Sequence, residues 1–291
     1  MPSLKDLKNR IGSVKSTQKI TSAMKMVAAA KLRRAQEQAI SSRPYSNSME
    51  KIVEGLANKL SVNPPDLLKG NPENKTLLLV VFSADRGLCG GFNSSITRSV
   101  KSEIIKLEKQ NLKTKLLLIG RKSSDALRRE FGEHFLEVIT GNSANPKFID
   151  SSIIAKKIIK FFEEGQFGSC KIVFNKFVSA ISQEVTFKNL IPIEMSEENN
   201  DKINENKFVY EYEPSEEEIL EDLLTRNLTT QLFSAQIEST ASELAARMTA
   251  MDNATRNAGD LIDRLTLQYN RTRQAFITKE LIEIISGAEA L

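Results

Sequence analysis

Five residues, Gly87-Leu88-Cys89-Gly90-Gly91, follow an apolar run and precede a helical pattern, where a phosphate-binding loop would sit. The residue types do not suit that chemistry. The run is not G-x-G-x-x-G, and no Gly-Lys-Ser/Thr is present to supply the lysine and hydroxyl of a Walker loop. The sequence instead predicts a tight strand-to-helix turn that needs positive φ. The two cysteines, Cys89 and Cys170, form no C-x-x-C pair, which argues against a zinc site or disulfide framework and suits a reducing compartment. The single histidine, His134, has no second histidine for a metal site and is expected at the surface. No acid/base constellation is visible. An enzyme with a dinucleotide-type domain is therefore disfavoured, and neither cofactor nor metal is expected.

The chain of 291 residues suggests one or two domains, and 40% hydrophobic residues suffice for a core. A net charge of +4 says little about partners. No stretch approaches 18 apolar residues, the length of a membrane span. Met1 to Arg10 is charged and lacks the apolar region of a signal peptide, and Asp6 departs from the acid-poor pattern of a transit peptide. A cytosolic origin is expected.

Long helices are predicted at both ends. Residues 3 to 58 contain only Gly12, Pro44 and Gly55 as breakers, and Leu4, Leu7, Ile11 and Val14 recur at helical spacing. Pro44 is expected to kink this helix or open a looser last part. Small residues dominate from Ala23 to Ala39. The second helix is expected from Glu216 to Ser286, capped by Ser215, with Gly259 its only breaker. Its stripe Leu244, Met248, Met251, Thr255, Ala258, Ile262, Leu265, Tyr269, Thr272, Phe276 keeps a strict 4-3 spacing, as in a coiled coil. At about 1.5 Å per residue the helices would measure ~84 Å and ~107 Å, and they can close as an antiparallel pair.

Between them the period changes. Residues 61 to 74 hold three prolines and a glycine and read as a linker. Strands are expected at Thr76 to Phe82, Lys115 to Ile119, Phe135 to Ile139 and Lys171 to Val178. Helices are expected at Arg121 to Glu130 and Phe148 to Glu164, and Glu184 to Ile193 could add an edge strand. This alternation predicts an α/β, Rossmann-like middle domain with a largely parallel sheet. The division is 1–60 first shaft helix, 61–213 α/β domain, 214–291 second shaft helix. Residues 194 to 222 carry twelve acids against two lysines, a net of −10.

Three motifs go further. Ile11 to Gln36 (IGSVKSTQKITSAMKMVAAAKLRRAQ) resembles the N-terminal signature of the gamma subunits of F-type ATP synthases. Glu238 to Asn257 (ESTASELAARMTAMDNATRN) and Leu265 to Leu291 (LTLQYNRTRQAFITKELIEIISGAEAL) resemble its C-terminal signature. Asp85 to Asn93 (DRGLCGGFN) resembles the family's glycine-rich loop. The resemblance implies a non-catalytic rotor shaft of the bacterial type. Its paired helices would form one axle, in a single copy, inside a ring of three alpha and three beta subunits. Its middle domain would meet epsilon and the membrane's c ring, on the cytoplasmic face of the inner membrane. Rotation of the c ring would drive ATP synthesis on beta.

The resemblance also implies site residues. Contacts with the ring would come from Met24, Lys25, Arg33, Arg34, Asp85, Arg86, Cys89, Arg247, Gln274, Thr278 and Glu280, with Cys89 a small neutral residue. Tyr210 and Tyr212 would lie near epsilon and the c ring. Ile277, Leu281, Ile284 and Ile285 would form an apolar bearing at the C-terminal tip. Each has a plainer alternative: a tight strand-to-helix turn for Asp85, Arg86 and Cys89, a solvated helix face or i,i+4 pairs for the helix residues, an edge strand for the tyrosines, and a tail folded back on the domain for the tip. Met24, Met26, Met248 and Met251 are expected in the helix-pair core. Residues 1 to 40 carry nine Lys or Arg and two acids, a net of +7, so a coiled-coil nucleic-acid-binding or scaffold protein is the competing reading. Basic residues interleaved with the apolar stripe, without aromatics, weigh against nucleic acid.

Overall fold

The structure, a computed structural model, describes residues 3–59, 65–141, 146–193 and 216–289. The chain forms two compact units: Met1–Ala30 with Arg247–Leu291, and Lys31–Ala246. The two long helices, α1 (Leu4–Lys59) and α6 (Glu216–Glu289), contribute to both. Pro44 lies inside α1 without ending it.

In the first unit α1 and α6 run antiparallel. Thr21 and Thr255 hydroxyls lie 2.8 Å apart, Lys25 bonds Asp252, and Gln18 lies beside Gly259. The paired numbers sum to 276, 277 and 277. The stripe of α1 continues in 3-4 steps through Gln18, Thr21, Lys25 and Ala28, and Leu7, Thr21 and Ala28 are buried. It faces the buried Met251, Ala258 and Ile262 of α6. Most of the groove is filled by small or polar side chains, which lets the backbones approach. Met24 and Met248 are half-buried, but Met26 is 67% exposed, so it is no core residue: it lies off the stripe.

The second unit is a three-layer α/β domain. Its elements are α2 (Asp66–Lys69), β1 (Thr76–Phe82), α3 (Phe92–Lys109), β2 (Lys113–Ile119), α4 (Arg121–Phe131), β3 (Phe135–Ile139), α5 (Phe148–Glu163), β4 (Ser169–Phe177) and β5 (Gln183–Ile191). The strand order is β3-β2-β1-β4-β5; all pairs are parallel except the antiparallel edge strand β5. The continuous apolar run of β1 follows from burial on both faces. One face packs Leu79, Val81 and Leu118 against Ile96, Val100, Ile104 and Leu127 of α3 and α4. The other packs Leu78, Val80 and Ile172 against Ile154 and Ile158 of α5, and against Leu228, Leu232 and Ala235 of α6.

The start of α6 is therefore a wall of this domain. Residues 227–232 and 235–246 are all buried, and each leucine contributes roughly 1.5–3 kcal/mol through its burial. The compact units thus divide the chain elsewhere than at residues 60 and 213. The segment read as a linker contains the short α2, and Leu68 packs with Met49, Val53, Leu220 and Leu224. Ser215 lies outside the described residues.

Candidate functional site

The C-terminal ends of the parallel strands are where open α/β sheets bind ligands, at the point where strand order reverses. Here that point lies between β1 and β4, and the chain itself fills it. Ala246 of α6 packs on Ala84, Cys89 and Phe92. Ser242 Oγ donates to the carbonyl of Asn175 at 2.8 Å. Glu238 accepts the N–H of Phe177, the last residue of β4, at 3.1 Å. A Cβ on Gly120 would lie 2.1 Å from the Ser83 carbonyl, so β1 and the turn after β2 are also in close contact. Ser83 and Ser123 share a 2.7 Å hydrogen bond there.

The glycine-rich turn takes positive φ at Gly90 (55°) and at Leu88 (62°). Leu88 is the costlier of the two, because a Cβ crowds the backbone in this region. Asp85 turns inward: its carboxylate accepts the backbone N–H groups of Arg121 at 3.2 Å and Gly141 at 3.0 Å. Cys89 is 2% exposed, and the Asn93 amide donates to its sulfur at 3.0 Å. The side chain packs against Ala84 and Phe92 and against Ala246 of α6. The outward side chains of the turn are Arg86 and Leu88, and nothing in the sequence singled out Leu88.

Cys170 is wholly buried, and burial pushes its thiol pKa well up, so it is no nucleophile. His134 is half-buried rather than at the surface. Its Nδ1 lies 2.9 Å from the Thr114 carbonyl and its ring stacks edge-on to Phe131. Among the described residues no group of three His, Cys, Asp or Glu could hold a metal, and no helix is long and apolar enough to cross a membrane.

On the helices, Lys25 is already paired with Asp252. The Lys25 hydrogen bond, with help from Arg256, holds the Asp252 carboxyl below the usual carboxylate range. Arg33 is exposed and reaches Glu37 at 3.3 Å; Arg34 is exposed, and Arg247 is half-buried. Gln274, Thr278 and Glu280 are exposed, the Thr278 hydroxyl bonding back to the Gln274 carbonyl at 3.0 Å. Residues 273–288 are all exposed. At the register of the pair, Leu4 stands opposite about residue 273, so α1 offers this segment no partner. Within it Ile277, Leu281, Ile284 and Ile285 are 47–67% exposed. Tyr210 and Tyr212 lie outside the described residues.

A helix pair joined in sequence to a Rossmann-like domain, with its own helix in the ligand crevice, defines a structural subunit rather than a nucleotide-binding domain. The ATP synthase family model matches residues 3–291. The chain is 53% identical over 296 residues to the ATP synthase gamma chain of Jannaschia sp. (strain CCS1), and 52% identical over 299 residues to that of Rhodospirillum rubrum. Both alignments cover the whole of both chains. Among solved structures, the central stalk and c-ring of the Tetrahymena thermophila mitochondrial ATP synthase contains a similar chain. It has TM-score 0.62 and 28% identity, covering 81% of this chain and 99% of that one. A rotor chain of the Euglena gracilis mitochondrial ATP synthase shares the fold, with TM-score 0.65 and 20% identity, covering 94% and 98%. The chain belongs to the gamma-chain family of ATP synthases. It is a central-stalk subunit of that complex, and catalysis lies on other subunits.

Proposed function

We propose that the α1–α6 pair is the axle turned inside a ring of three alpha and three beta subunits, one copy per complex. The α/β domain is the end that joins epsilon and the c ring, at the cytoplasmic face of the bacterial inner membrane. Rotation of the c ring turns the axle, and its asymmetry drives the three catalytic sites through different conformations. The observation that carries this reading is the last part of α6. Sixteen residues, 273 to 288, are exposed, and Phe276, Ile277, Leu281, Ile282, Ile284 and Ile285 give them a broad apolar surface beside a side that carries Lys279, Glu280 and Glu283. An apolar surface of that breadth is normally buried, and α1 ends short of it. The burial comes from outside, from an apolar collar where the large subunits converge.

Exposed Arg33, Arg34 and Arg86, with Gln274, Thr278 and Glu280, are positioned to meet loops of that ring. Met24, Lys25 and Arg247 are only partly available, and Asp85 shapes the turn that presents Arg86. Tyr210 and Tyr212 remain the proposed contacts near epsilon and the c ring. The test is assembly and ATP-driven proton pumping with Ile284→Asp plus Ile285→Asp. A charge placed in a dry collar is desolvated without a partner, so yield or coupling should fall. Ile284→Ala with Ile285→Ala should be milder. Wild-type yield and pumping in the Asp variant would show the tip to be solvent-exposed in the complex and the reading wrong.

A further inference from the structure

Apolar packing holds α6 on the sheet, but it is non-directional and resists sliding poorly. Hydrogen bonds have a preferred geometry and resist it. Three buried polar side chains of α6 supply them. Gln236 Oε1 accepts from Ser151 Oγ of α5 at 2.9 Å, and Ser242 Oγ donates to the Asn175 carbonyl of β4 at 2.8 Å. Glu238 does more. Its Oε2 accepts the Phe177 N–H at the end of β4 at 3.1 Å, and its Oε1 accepts Arg43 Nη2 of α1 at 2.7 Å. One carboxylate thus ties the sheet to both long helices.

The surroundings make that tie stiff. The Glu238 side chain is 11% exposed and that of Arg43 51%, so both bonds are charge-assisted and the one to Phe177 is the better shielded from water. Removing one donor would leave a buried carboxylate under-satisfied. The ion pair that joins α1 directly to the sheet among the described residues, Glu50–Lys188 at 3.1 Å, has side chains 35% and 40% exposed and no carboxylate as buried as Glu238. Such pairs are screened and weak.

We propose that Glu238 is the torque joint of this chain: the positioning residue at which a turning moment on the α/β domain passes to α6 and α1 together. This rests on the rotor reading above. Without the joint, α1 can lag behind the sheet, and part of each turn is lost as slip or twist between the domain and its helices.

The test uses the whole complex, reconstituted in vesicles with Glu238→Gln, Arg43→Met or both. ATP hydrolysis and ATP-driven proton pumping are measured on the same vesicles. The complexes should assemble and hydrolyse ATP near the wild-type rate, while protons pumped per ATP fall severalfold. The double variant should be no worse than either single one, because both remove one link. Glu50→Gln should have the smaller effect. A loss of folded protein would lower both rates together and leave their ratio unchanged. Wild-type pumping per ATP in both single variants would overturn the proposal. Should Glu238→Gln fail to assemble, Arg43→Met, which keeps the bond to Phe177, decides by the same ratio. The rotor reading fails by a different result: a complex lacking this chain that still pumps.

Discussion

Thr21 of α1 and Thr255 of α6 face each other with their hydroxyl oxygens 2.8 Å apart, one turn from the Lys25–Asp252 pair. Two polar contacts in succession on an apolar stripe fix the register of the helix pair, since sliding by one turn would part both. Thr21→Cys with Thr255→Cys should therefore crosslink on oxidation, seen as a mobility shift without reductant. Thr21→Cys with Ile262→Cys should not. Seven residues along α6 is about 10 Å, beyond disulfide reach. Crosslinking of both pairs alike would mean that the register is not fixed. The native thiols do not compete, as both are buried.

The same layer gives the pair a pH dependence. Asp252 is held below its ordinary range, chiefly by the Lys25 hydrogen bond. Its contribution to stability is in full force above the unfolded carboxylate range and is lost as pH falls through its lower folded pKa. Thermal melts from neutral to acid pH should show Asp252→Asn less stable than wild type at neutral pH, with the difference shrinking as acid protonates the wild-type carboxylate. A gap that stayed constant down to the lowest pH would contradict the pairing.

At the C-terminal end of the sheet α6 packs on Ala84, Cys89 and Phe92, where a nucleotide would have to enter. Calorimetry of the purified chain with Mg-ATP should give no binding heat. A micromolar affinity lost on altering residues 87–91 would show that the crevice opens.

Gly120 has φ +108° and sits where a Cβ would meet the Ser83 carbonyl at 2.1 Å. Gly120→Ala must strain its own backbone and push β1 away from the turn. A loss of at least about 2 kcal/mol is expected, read by denaturant unfolding of the isolated chain. A smaller loss would mean the two segments separate easily.

Leu88 offers the reverse case. It holds positive φ while 66% exposed, so its side chain returns little burial for the strain. Asparagine tolerates that conformation better. Leu88→Asn should leave the isolated chain as stable as wild type or more so, by up to about 1 kcal/mol. Destabilisation in the same unfolding assay would show that the side chain packs within the fold.

Much of this architecture was legible because it is periodic. The 4-3 stripe of α6 from Leu244 to Thr272 and the unbroken β1 run each follow from burial on a repeating face. Legibility failed where burial is not periodic. The helix pair's polar layer interrupts the α1 stripe at Gln18, Thr21 and Lys25, so an apolar count stops at Val14. Residues 227–246 of α6 are covered on nearly every side, which leaves no polar face to mark their phase. At the glycine-rich turn, the local sequence does not show that the Cys89 side chain is buried. Its burial comes from Ala246, more than 150 residues away in the chain, and local spacing cannot reveal such a neighbour.

The layer order of the α/β domain also sets a timetable for its synthesis. All five strands are complete by Ile191, yet one face of the sheet gains Leu228, Leu232 and Ala235 only later. A nascent chain halted before them holds a finished sheet with part of one apolar face uncovered, and such surfaces invite aggregation. The chain must therefore be sheltered late in translation, and a message truncated near codon 215 should yield an insoluble product although every strand is present.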